Sequence, residues 1–75
     1  MKMKGPPTRL RIERIVRSLS QAEAGALAGL NQQQFSLIER GLAKPDAEKA
    51  AALEKAFGIP IDELMAIVAE DSNAA

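Results

Sequence analysis

The sequence predicts an all-α fold, one compact domain of five short helices. Three observations carry this. Apolar residues recur at three- and four-residue spacing, as in Ile12, Ile15, Val16 and Leu19 or Ala50, Leu53 and Phe57, and no stretch shows the two-residue alternation of a strand. Helix-capping residues and helix-stopping glycines punctuate the chain: Thr8, Ser20, Asn31 and Asp46 before predicted helices, Gly29, Gly41 and Gly58 after them. Finally, 75 residues rich in alanine suit one small helical domain and leave no room for two.

Each element follows in order. Residues 1–7, MKMKGPP, contain two prolines and no apolar periodicity, so they read as a tail ahead of a domain at 8–70. Thr8 caps a first helix over 9–18. Ser20 caps a second over 21–28, and Glu23 three positions on completes a capping box; Gly29 stops it. Asn31 and Gln34 repeat that pattern for a third helix over 32–40, which Gly41 closes. Residues 42–45 form a loop. Asp46 caps a fourth helix over 47–57, and Gly58 ends it. Pro60 opens a fifth, where its fixed φ and missing N–H are tolerated, and Asp62 and Glu63 suit the positive helix start. That helix is expected to run to Glu70, with 71–75 frayed.

Residues 20–41, SQAEAGALAGLNQQQFSLIERG, hold most of the functional information. A helix, a turn built on one glycine and a second helix make the helix-turn-helix unit, whose second helix enters the major groove of DNA. Here that helix opens with Gln32, Gln33 and Gln34, whose amides suit base edges, notably two-point contacts to adenine. Gln32 and Gln33 at its tip are expected to reach bases, and Gln34 to meet backbone or an outer base. Phe35 and Ile38 point the opposite way and belong to the core. Leu37 faces with Gln33, and either packs on a thymine methyl or contacts a neighbouring helix. Asn31, Arg40 and Lys44 flank the helix and suit phosphates, which position a protein without reading sequence.

The formal net charge is zero, but it is segregated: +5 over residues 1–18 and −5 over 46–75. Such separation steers one face toward phosphate and leaves the other solvated. There is no His, Cys or Tyr, so the usual nucleophiles, general bases and thiolate metal ligands are missing, and disulfides are excluded. Asp62 and Glu63 are adjacent and on different helix faces, a poor acid–base pair. An enzyme is therefore not expected, nor is a cofactor, a metal or a small-molecule ligand. No apolar run reaches membrane-span length and the Lys-rich start lacks a signal-peptide core, so no membrane is expected and a soluble, cytoplasmic protein is.

The residues Leu19-Ser20-Gln21, Glu23, Gly29, Asn31-Gln32, Phe35-Ser36, Ile38-Glu39-Arg40-Gly41 and Lys44-Pro45 resemble the phage repressor/Cro class of helix-turn-helix regulators, the XRE family. Leu53, Phe57-Gly58-Ile59 and Asp62-Glu63-Leu64 extend the resemblance, which covers residues 9–66. It implies a lambda-repressor-like domain in a bacterial cell or phage-infected host. It also implies that Gln21, first after its cap, touches a phosphate and that Arg14 pairs with Glu39 to link the first helix to the third. The chain departs from the family pattern at Ala24, Gly25 and Leu27. The register that aligns Arg14 also turns Ile12 and Val16 partly from the expected core. Either the first helix is rotated, or Ile12, Val16 and Leu27 make a second apolar patch.

These readings imply a DNA-binding regulator that occupies an operator on double-stranded DNA. One recognition helix reads roughly four or five base pairs, so useful specificity calls for a homodimer on a two-fold site. Ile61, Leu64 and Val68 share one face of the fifth predicted helix, which leaves Met65 and Ile67 on its flanks as candidate dimer contacts. Ile12, Val16 and Leu27 are the competing surface. The alternative function is a protein-interaction or antitoxin-like module that uses the same fold to hold a protein partner.

Overall fold

The computed structural model describes residues 8–68. Residues 1–7 and 69–75, and with them the predicted tail, the helix end at Glu70 and the frayed terminus, lie outside the described residues. Five helices follow in order: α1 (Arg9–Val16), α2 (Gln21–Leu27), α3 (Gln32–Glu39), α4 (Ala47–Phe57) and α5 (Ile61–Leu64).

Local chemistry sets most of these boundaries. Ser20 and Asn31 each form a reciprocal capping box, with Glu23 and Gln34, so both helix-turn-helix elements start on two satisfied backbone donors. Thr8 and Asp46 cap α1 and α4 through their side-chain oxygens. At the other end, α2 stops in a Schellman motif. Gly29 takes φ +72°, Leu30 N–H bonds Gly25 O (2.8 Å), and Gly29 N–H bonds Ala26 O (3.2 Å). The same pattern closes α3 at Gly41, through Gly41 N–H to Ile38 O and Leu42 N–H to Leu37 O, both 2.9 Å.

Two elements differ from the sequence expectation. Helix α1 ends at Val16 rather than Ser18, and it too ends in a Schellman motif. Ser18 N–H bonds Ile15 O (2.9 Å) and Leu19 N–H bonds Arg14 O (3.1 Å), with Ser18 itself in the left-handed position at φ 58°. No glycine marks that stop, so periodicity carried the predicted helix past it. Helix α5 is a single turn rather than a helix running to Glu70. Its preceding Pro60 makes no side-chain cap bond, and past Leu64 the backbone turns to serve α1 instead. Ala66 O accepts from Arg9 N–H (2.9 Å), and Ile67 pairs with Thr8 in an isolated antiparallel bridge. Arg9 is the first residue of α1, where N–H groups lack partners within the helix. The bridge supplies one, and a continued α5 would not.

The core draws on every helix: Leu10 from α1, Ala24 from α2, Phe35 and Ile38 from α3, Leu53 and Phe57 from α4, and Leu64 from α5, with Ala28 and Leu30 from the turn. The apolar stripe read along α1 does not line it. Ile15 is exposed, Val16 is 71% exposed, Ile12 is half-buried, and of that stripe Leu19 alone packs against the core. The inward face of α1 carries Leu10 and, one turn on, Arg14, so α1 sits in the register that brings Arg14 onto Glu39 and leaves Val16 and Leu27 exposed.

Candidate nucleic-acid interface

Helices α2 and α3 are held at close range. A β-carbon built on Gly25 would stand 2.9 Å from Leu30 O and 3.1 Å from Phe35 Cβ. Real side chains do not approach a carbonyl that closely, so glycine at this position lets the turn fold back against α2.

Behind the unit stands one buried carboxylate. Glu39, at the end of α3, is 2% exposed. Its Oε2 accepts from Arg14 Nε (2.5 Å) and its Oε1 from Gln21 Nε2 (2.6 Å). Arg14 is itself largely buried, at 15% side-chain exposure, and its Nη1 donates to Leu19 O (2.8 Å). Thr8 donates its hydroxyl to Glu39 O (2.6 Å), which ties the cap of α1 to the end of α3. Glu39 thus links all three N-terminal helices. Removing one partner from such a buried pair leaves the other charge uncompensated, at a cost of roughly 3–5 kcal/mol.

The predicted site residues fall into distinct positions. Gln32 and Gln33 are exposed on the first turn of α3, and neither amide takes part in a hydrogen bond among the described residues. Gln34 is exposed but tethered, its Oε1 accepting from Asn31 N–H (3.0 Å) while Asn31 Oδ1 accepts from Gln34 N–H (2.7 Å). Leu37 is half-buried and lines a cleft between α3 and the loop that follows it, together with Leu30, Gln34, Ala43 and Lys44. Arg40 and Lys44 are exposed, and Arg40 Nε lies 3.4 Å from Ser36 O. Gln21 is half-buried, one amide hydrogen committed to Glu39 and the other not. Met65 and Ile67 lie outside the helix-turn-helix. Met65 packs partly buried against the core, while Ile67, beyond the end of α5, is 54% exposed.

Two features around these helices have little or no local signal in the sequence. The hydroxyl bond from Thr8 to Glu39 spans 31 positions and has no local signal. Lys49, in the first turn of α4, lines the same cleft as Leu37 and Lys44. Its only trace in the sequence is its place three residues after the cap Asp46.

The family model for helix-turn-helix proteins matches residues 10–64, which runs from the first core residue to the last. The chain belongs to the XRE-type helix-turn-helix family. As a member it is a DNA-binding helix-turn-helix regulator, in a lambda-repressor-like all-helical domain. No curated protein and no solved structure matches the chain. Among the described residues, no helix of this XRE-type protein is long and apolar enough to cross a membrane.

Proposed function

We propose that this XRE-type protein regulates transcription by occupying an operator as a dimer, in the manner of Cro or of small controller proteins, in the cytoplasm of a bacterial cell. The observation that carries the proposal is the pair Gln32 and Gln33. Both are exposed on a capped, packed helix and neither is used by the fold. Amides held rigidly at the tip of α3 suit two-point contacts to base edges in the major groove. Gln34 is shared between its capping bond and the groove edge. Asn31, Arg40, Lys44 and Gln21 meet phosphates on either side, which sets the depth and angle of α3. Leu37 reads shape or a thymine methyl at the cleft wall.

Two copies on a two-fold site supply the specificity one short helix lacks. Ile67 and Val16 are exposed aliphatics suited to pairing, whereas Met65 is partly used by its own core. A protein-interaction module is the competing class, favoured by the same exposed aliphatics.

Selection of bound sequences from a random duplex pool, combined with a salt series on random duplex, separates them. A regulator enriches a two-fold consensus, and log affinity for random duplex falls linearly as log salt rises. An interaction module enriches nothing and shows no such slope.

A further inference from the structure

We propose that Lys49 is a further phosphate contact, and that the cleft beside α3 seats a phosphodiester of the same duplex that α3 reads. This rests on the DNA-binding reading above and extends it to a residue outside the recognition helix and its flanks.

The cleft, about 220 Å³, lies between α3, the loop after it and the first turn of α4. Gln34, Lys44, Asp46 and Lys49 supply its polar lining, beside apolar side chains that include Leu37. It is therefore continuous with the surface already assigned to DNA. Lys49 Nζ lies 3.4 Å from where a β-carbon on Gly29 would stand, so its ammonium rests against the turn between α2 and α3.

That ammonium forms no ion pair among the described residues. The nearby carboxylate of Asp46 is turned to the cap, its Oδ1 accepting from Lys49 N–H (2.9 Å). Lys44 and Lys49 outnumber the one carboxylate among the cleft-lining residues, Asp46. Lys49 is half-buried, so its stem is already restrained and less side-chain freedom is lost when it meets an anion. A cation resting against the turn that leads into α3 suits the regularly spaced single charges of a DNA strand.

A purely structural role is the rival, because a cation at the end of α2 also favours the negative end of that helix. The test uses the full chain and random-sequence duplex, with anisotropy read across a salt series below the melting temperature of every variant. Lys49→Gln is expected to reduce the slope of log Kd against log salt by about 0.9, the value of one phosphate. It is also expected to weaken low-salt binding about three- to tenfold on all sequences alike. Lys49→Arg is expected to restore both. An unchanged slope for Lys49→Gln overturns the assignment, and if its Tm falls as well, Lys49 is a cap for α2. A wild-type chain with no salt-dependent binding overturns the DNA-binding reading itself. A wild-type slope matched by Lys49→Gln overturns Lys49 alone.

Discussion

Single residues at the helix ends and tips carry the sharpest consequences. Gln33 is exposed at the tip of α3 and contributes nothing to the fold. Gln33→Ala is accordingly expected to leave stability and random-duplex binding nearly unchanged while relaxing base preference, a loss of about 1–3 kcal/mol of discrimination per half-site. Comparing consensus sequences selected by mutant and wild type checks this, and identical consensuses would remove Gln33 from the readers. Ser18 poses the opposite question, since it lies outside the proposed contacts and holds φ 58° at the end of α1. A left-handed L-residue costs about 1–2 kcal/mol, partly offset for glycine by its freer unfolded chain. Ser18→Gly is expected to raise stability by a few tenths to about 1 kcal/mol. Denaturant midpoints decide it, and a lower midpoint would mean the Ser18 hydroxyl contributes something the backbone geometry does not reveal.

At the scale of elements, the angle between α2 and α3 determines whether the glutamines reach a groove. That angle depends on the close approach at Gly25 and on the Glu39 network behind it. Gly25→Ala tests the first. Alanine favours helix by about 1 kcal/mol, but a β-carbon at 2.9 Å from Leu30 O forces the turn outward. Overpacking of this kind costs about 1–3 kcal/mol, so a net loss is expected, with Tm lower by roughly 5–10 °C. Thermal melts provide the measurement. DNA affinity is expected to fall further than the stability loss explains, because the displaced turn carries Asn31 and the start of α3. A stabilised Gly25→Ala would show that the turn yields without cost.

For the molecule as a whole, charge and exposed aliphatics set the behaviour. Glu13 bridges Arg17 (2.5 Å) and Arg9 (2.7 Å) along α1, and hydrogen bonds from Arg17 first and Arg9 second hold its carboxyl below the ordinary value of 4.5. A depressed acid contributes stability that is present above the unfolded value and is lost as pH falls through the folded one. Wild type is thus expected to lose more stability than Glu13→Gln as the pH drops from neutrality to below 4.5, with the two converging in acid. Denaturation curves at several pH values measure it, and parallel profiles would dismiss the bridge. Exposed aliphatics bear on pairing. Ile67→Glu and Val16→Glu, made separately, are expected to leave the monomer folded, because both positions are exposed. Whichever abolishes the dimer in sedimentation locates the interface, and a monomeric wild type at working concentration, with or without operator, removes dimerisation from the proposed function.

Local signals alone were enough for the helix count, the four side-chain caps, the two glycine stops flanking α3 and the division of α3 into a buried Phe35–Ile38 side and an exposed glutamine tip. Each depends on residues within four positions of one another, where backbone hydrogen bonding and side-chain periodicity act. Tertiary structure decided what depends on partners far along the chain. Helix α1 turned Arg14 inward, onto the buried Glu39 of α3, and left Ile15 and Val16 to solvent; a carboxylate buried that far requires a charged or hydrogen-bonding partner. Helix α5 stopped after one turn, and the backbone beyond it accepts from Arg9, more than fifty positions away, whose N–H has no partner within α1. Lys49 joined the cleft because the loop after α3 folds the start of α4 against the turn. None of these contacts leaves a mark on the spacing of neighbouring residues, since distant parts of the chain meet only once the helices have packed.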